Sequence, residues 1–284
     1  MHTQGKKESV ALSSVAAGLG LTVTKFVVGI LTGSIGILSE AVHSLLDLAS
    51  AILTYFAVNF DGMPADDSHP FGHGKIESVS AFIETGLLFL TSIGIIYEAV
   101  RRLLEGGKVE ATWYAFAVII LAIIVDISRS RALYRVAKET RSQALEADAL
   151  HFHSDIYSSG AVLLGLGFVW FGIPGADAIA AIVVALFVGL AGYRLGRRTL
   201  DVLVDKAPEG VAERARELAE GVEGVSRVIQ VRARPLGSNV FVEVRIAVNR
   251  TYSVEKTHAI ATSIERTVES AIPHAEVAVR IEPA

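Results

Sequence analysis

The sequence predicts a helical membrane domain of six spans followed by a small soluble α+β domain. Three observations carry that prediction. The 284 residues are 51% hydrophobic, with a mean hydropathy of +0.48, too apolar for an ordinary soluble chain of this length. Six apolar segments, each near the ~20 residues that a bilayer requires, fill the first two thirds. After about Pro208 the apolar runs give way to amphipathic helix and period-two alternation. The formal net charge of -4 gives no reason to expect nucleic-acid binding. The chain has no cysteine, so disulfides and thiolate ligands are excluded and any metal site must be built from His, Asp and Glu.

Taken in order, the first fourteen residues are short and polar, with Lys6 and Lys7. The apolar segment after them is too long for a signal-peptide core and is expected to be a retained first span. The spans are placed at about 9–31, 34–58, 77–100, 112–134, 146–170 and 175–196. Thr32-Gly33-Ser34 separates the first two, and Gly172-Ile173-Pro174-Gly175 the last two; neither turn carries Lys or Arg. The other side carries Lys6, Lys7, Lys75, Arg129, Arg131, Arg135, Lys138, Arg141, Arg194, Arg197 and Arg198. The positive-inside rule therefore puts both termini in the cytoplasm, with Arg101, Arg102 and Lys108 the exceptions outside. Gly18, Gly20, Gly29, Gly192 and Gly196 are expected at close helix contacts. The transmembrane domain is expected to occupy 1–207 and the soluble domain 208–284. In the latter, Val211–Gly221 reads as a helix, Val225–Arg234 and Val240–Val248 as strands, Ser253–Ala271 as a helix N-capped by Ser253, and Val277–Ile281 as a strand. The order αββαβ suggests a ferredoxin-like layer of helices on one sheet face.

Two of the spans carry ionisable pairs. His43 and Asp47 stand four apart in the second, and His151 and Asp155 four apart in the fifth. That spacing puts each pair on one helix face. A charged group at mid-membrane costs roughly 2.5–3.5 kcal/mol on insertion scales, so two aspartates need compensation. Two imidazoles and two carboxylates facing each other would form an N2O2 set of formal charge -2, which cancels a divalent cation. Such a set suits Zn2+ and tolerates Co2+, Fe2+ and Cd2+; imidazole argues against Mg2+ and Ca2+. When empty, the set should take up protons, and metal binding should release them. His153, two residues from His151, faces elsewhere on the helix. Glu84, Asp126, Asp148 and Asp177, in or near spans, are weaker ligand candidates.

Ser39–Asp47, the loop His69-Pro70-Phe71-Gly72-His73-Gly74-Lys75-Ile76-Glu77 and Ala147–Asp155 resemble the cation diffusion facilitator family along essentially the whole chain. The resemblance implies a non-enzymatic secondary transporter of a bacterial inner membrane, exporting divalent metal for protons by alternating access as a homodimer. It implies that His43, Asp47, His151 and Asp155 form the transport site, in the combination usually associated with zinc. Fe2+, Co2+, Cd2+ or Mn2+ as main cargo is the alternative. It further implies a second metal ion at Asp66, His69 and His73, against which stands a loop shaped by Pro70, Gly72 and Gly74 with solvated histidines. Lys75 and Asp205 are implied as an ion pair that locks the spans at the dimer interface.

The soluble domain departs from the family pattern. Ile229, Arg245 and Arg280 stand where metal-binding members carry ligands, which leaves His258 with Glu243 and Glu282 as a weaker set. Its expected role is dimerisation. Two other classes stay open: a membrane metal sensor without flux, and an intramembrane metalloenzyme. The sequence has no His-Glu-x-x-His for the latter.

Overall fold

The computed structural model describes residues 2–32, 35–105, 113–170, 176–237 and 239–284. Its contacts divide the chain into two units, Met1–Pro64 with Ile76–Leu200, and Ala65–Lys75 with Asp201–Ala284.

The first unit is built from six long helices: α1 (His2–Thr32), α2 (Ile35–Asp61), α3 (Lys75–Glu105), α4 (Trp113–Thr140), α5 (Gln143–Trp170) and α6 (Ala176–Leu203). In lipid every backbone polar group must be satisfied internally, which a helix does along its own length. Hydropathy marks only the part of each helix in the apolar layer. Several helices therefore run past the expected span limits, α4 to Thr140 and α3 from Lys75 to Glu105. Only Arg141 and Ser142 separate α4 from α5. Arg141 adopts a left-handed φ of 56°, and the Ser142 hydroxyl accepts the Leu145 N–H at 3.3 Å. The region expected as a basic loop is thus mostly helix. Arg129, counted there among the cytoplasmic cations, is instead buried inside α4.

Helix α1 packs on α2 and α4, α4 on α5, and α2 on α5. Small residues permit the closest approaches. A Cβ on Gly196 would lie 2.6 Å from Thr85, and one on Gly18 would lie 3.4 Å from Arg129 and 3.5 Å from Leu48. Among the described residues nothing lies within 4 Å of such a Cβ on Gly20. At the start of α1 the buried Lys7 ammonium bonds Asp61 at 2.7 Å and Glu77 at 2.9 Å, tying α1 to the end of α2 and the start of α3.

The second unit contains α7 (Val211–Glu220), β1 (Val225–Leu236), β2 (Asn239–Val248), α8 (Val254–Ala271) and β3 (Ala275–Pro283). The sheet order is β1-β2-β3, with β1 and β2 antiparallel and β2 and β3 parallel. A parallel pair needs a crossover, and α8 supplies it. Ser253 caps α8 by accepting the Lys256 N–H. Val242, Val244 and Ile246 alternate on one face of β2 and bury themselves with Ala215 and Ala219 of α7 and Ile264 and Val268 of α8. The register of β1 against β2 shifts between Val228 and Gln230, leaving Ile229 unpaired.

The loop 65–75 belongs to this unit. Phe71 meets Phe241 of β2 edge to face, with ring centroids 5.8 Å apart. The Arg234 guanidinium lies 4.5 Å over Phe71 and 3.5 Å from Asp205. Lys75 bonds Asp205 at 2.7 Å, the pairing expected from the family resemblance. This hydrogen bond holds the Asp205 carboxyl below its ordinary pKa. A boundary drawn from composition near residue 207 does not see that an upstream loop packs with the later domain.

Candidate metal centres

Helices α2 and α5 bring Asp47, His151 and Asp155 together, with one potential ligand atom from each inside a 4.8 Å cluster. His151 Nε2 lies 3.1 Å from Asp47 Oδ1 and 3.6 Å from Asp155 Oδ2. The i,i+4 spacing on α5 sets the second distance; helix packing sets the first. His151 is 6% exposed, so its nitrogen faces two carboxylates in a region of little solvent. One imidazole nitrogen and two carboxylate oxygens at this range can close around a single ion. His43 lies on α2 one turn before Asp47, and its side chain falls outside the described residues. His153 packs between Tyr134 and Tyr157 and is not in the cluster.

Of the groups around this cluster, Asp148 and Glu84 stand out in the sequence only as weaker ligand candidates, Lys25 is passed over and Arg129 is counted among the cytoplasmic cations. Asp148 is fully buried, and one of its oxygens accepts from Ser14 at 3.4 Å. Glu84 is buried and held by the hydroxyls of Thr54 and Ser80. Lys25 of α1 donates to Ser44 at 2.6 Å. Arg129 donates to Ser14 at 2.9 Å. The signal that flags Asp47, a lone charge in an apolar run, also flags Lys25 and, in the longer α4, Arg129.

The loop holds the second cluster, Asp66, His69 and His73, again within 4.8 Å. His69 Nδ1 is 3.6 Å and His73 Nε2 3.5 Å from the Asp66 carboxylate. The loop shapes itself first. Asp66 Oδ1 accepts the Ser68 hydroxyl at 2.7 Å, the Ser68 N–H at 2.9 Å and the His69 N–H at 2.6 Å. Gly72, at φ 76°, turns the chain so that His73 returns toward His69, and the two rings sit 4.4 Å apart. The Ser68 hydroxyl and the His69 N–H are the main forces that pull the Asp66 carboxyl down to about 2. Asp67 stays outside the cluster.

The soluble domain does not assemble the weaker set. Glu243 alternates with the buried Val242 and Val244, so it points away from α8. His258 is exposed on α8, so the two do not meet within one chain. Glu282 is held by the Arg245 guanidinium, which also bonds Gln230, and this contact lowers the Glu282 carboxyl.

Comparison with known proteins bears on what these clusters serve. The model of the cation efflux transmembrane domain matches residues 11–204, and that of the cation efflux protein cytoplasmic domain matches 207–284. The chain belongs to the cation efflux family. This establishes it as a membrane protein of cation efflux, with a helical transmembrane region followed by a cytoplasmic domain, as the family resemblance implied. The cation-efflux pump FieF of Salmonella arizonae is 28% identical over 284 residues, 99% of this chain and 95% of its own. The FieF pump of Salmonella typhi matches equally over the same shares. Among solved structures, MamM-CTD 215-293 is 34% identical, covering 27% of this chain and 98% of its own at a TM-score of 0.26. A cadmium form of a MamM CTD variant is 35% identical, covering 27% and 96% at the same TM-score of 0.26.

Proposed function

We propose that this cation-efflux protein exchanges divalent metal, Zn2+ before Fe2+, Co2+, Cd2+ or Mn2+, for protons. It works by alternating access as a homodimer in a bacterial inner membrane, with residues 1–207 as the transmembrane domain, 208–284 as the dimerisation domain and both termini cytoplasmic. One observation carries the reading: a buried imidazole nitrogen 3.1 and 3.6 Å from two carboxylates, contributed by two helices of the transmembrane region. Asp47, His151 and Asp155, with His43 as the fourth ligand, receive the ion. Three neutral-to-anionic donors in low dielectric hold a 2+ charge far better than they hold each other's negative charge. Protons returning to the same atoms displace the metal, which couples the two fluxes at one place. Asp66, His69 and His73 hold a second ion on the cytoplasmic side.

The test is Zn2+ uptake into proteoliposomes under a pH gradient, comparing wild type with Asp47→Ala and Asp155→Ala. The proposal expects gradient-driven uptake in wild type and background uptake in both variants. Metal binding without flux in wild type would make the chain a sensor. Substrate cleavage that depends on the bound metal would make it an enzyme.

A further inference from the structure

Two buried basic side chains bond or stack on residues that neighbour the cluster in sequence, and metal transport as described gives them no part. Lys25 and Arg129 are each 7% exposed, on α1 and α4. Neither is placed by accident of packing. The Lys25 ammonium bonds the hydroxyl of Ser44, whose carbonyl oxygen accepts from Thr22 of α1 at 3.0 Å. Ser44 follows His43 and precedes Asp47 by less than one turn. The Arg129 guanidinium lies 3.7 Å over the ring of Phe152, the residue after His151. It donates through Nε and Nη2 to Ser14 at 3.3 and 2.9 Å, and Ser14 reaches Asp148, three residues before His151. It packs against Gly18, where an added Cβ would lie 3.4 Å from Nη2. The carboxylates acting on Arg129 are those of Asp148, Asp126, Asp47 and Asp155.

We propose that Lys25 and Arg129 are fixed cations of the transport site, which weaken its hold on the divalent ion and thereby set the rate of release. A strong site is a poor carrier: an ion bound too tightly leaves too slowly. Like charges repel over several ångströms where little water screens them, so each tethered cation raises the free energy of the metal-loaded state relative to the empty one. When the metal departs, the same two cations face the carboxylates left behind and stabilise the empty site. The donor atoms would remain those of Asp47, His151 and Asp155. Lys25 and Arg129 are positioning residues that act on the ion through the field.

The inference rests on the transmembrane cluster being the transport site, and one experiment separates the two. Zn2+ affinity is measured by chelator competition on the purified full chain in nanodiscs, in a His69→Ala/His73→Ala background so that only the membrane site reports. Flux is read in proteoliposomes. Arg129→Gln is expected to bind Zn2+ about tenfold more tightly, a modest Coulomb effect, and to turn over more slowly. Arg129→Lys should restore both values toward wild type. A merely structural arginine would lower affinity and stability together. Lys25→Gln carries the same test, with the same expected direction, if Arg129→Gln does not fold. Unchanged or weaker binding in a folded Arg129→Gln or Lys25→Gln protein overturns the inference while leaving the site intact. Asp47→Ala in the same assay reports on the site itself: retained binding and flux there would overturn the site reading instead.

Discussion

The two candidate metal clusters use the same residue types and nearly the same spacing of ligand atoms, yet they are built by opposite means. The loop cluster is exposed and shaped by its own backbone: Ser68 and His69 fix Asp66 before any ion arrives. The membrane cluster is assembled across two helices. Its three residues come from α2 and α5, and helix packing alone sets the 3.1 Å between His151 and Asp47. A cluster that depends on the distance between helices changes its affinity when helices move, which transport requires. A cluster fixed within one short loop keeps its geometry. The difference supports the proposal that the transport role belongs to the membrane cluster, although both groups of residues could hold a metal ion.

The comparison is broken most forcefully at Asp155 and Asp47. Removing either carboxylate takes a ligand from the membrane cluster and should lower Zn2+ flux by 100-fold or more, on the order of 3 kcal/mol or more of lost ion stabilisation. Next in size is His43→Asp. Replacing an imidazole by a carboxylate adds negative charge and relaxes site size, so the Cd2+/Zn2+ transport ratio should rise several-fold. An unchanged ratio would take His43 out of the site. His73→Ala should remove one equivalent of bound metal, counted by equilibrium dialysis, while flux falls only a few-fold.

The smaller effects concern acidity and the surface. The Asp66 carboxyl is depressed to about 2. Its folded value lies below the ordinary 3.8, so the stability it gives the loop is fully present above that value and is lost only as pH falls through about 2. An Asp66 titration by NMR should therefore show no change between about pH 5 and 8. The Lys75–Asp205 pair is partly exposed, at 34% and 43%. Lys75→Ala should cost less than about 1 kcal/mol of stability and lose even that in high salt.

Much of this was legible because hydropathy and alternation are local. The apolar runs announce α1 to α6, and the valines of β2 announce a sheet with one covered face. Pairs four residues apart, His151 with Asp155 and His69 with His73, point to the two candidate clusters. What stayed hidden depends on distance in space. No local signal places Phe71 against Phe241, since most of the chain separates the two. Glu243 and His258 look like partners in composition and lie on opposite sides of the sheet because β2 alternates. Arg129 falls inside the span placed at about 112–134 and yet groups with the cytoplasmic cations, since its neighbours Arg131 and Arg135 carry the same charge. Burial under Ser14 and Phe152 becomes visible only once α1 and α5 are packed around it.

The division of labour between the two clusters is tested most directly by counting bound Zn2+ and measuring flux in the same preparation of Asp155→Asn. The expected result is one equivalent fewer bound than in wild type, a loop ion retained, and no pH-driven uptake. Wild-type flux with the loop ion alone would contradict it.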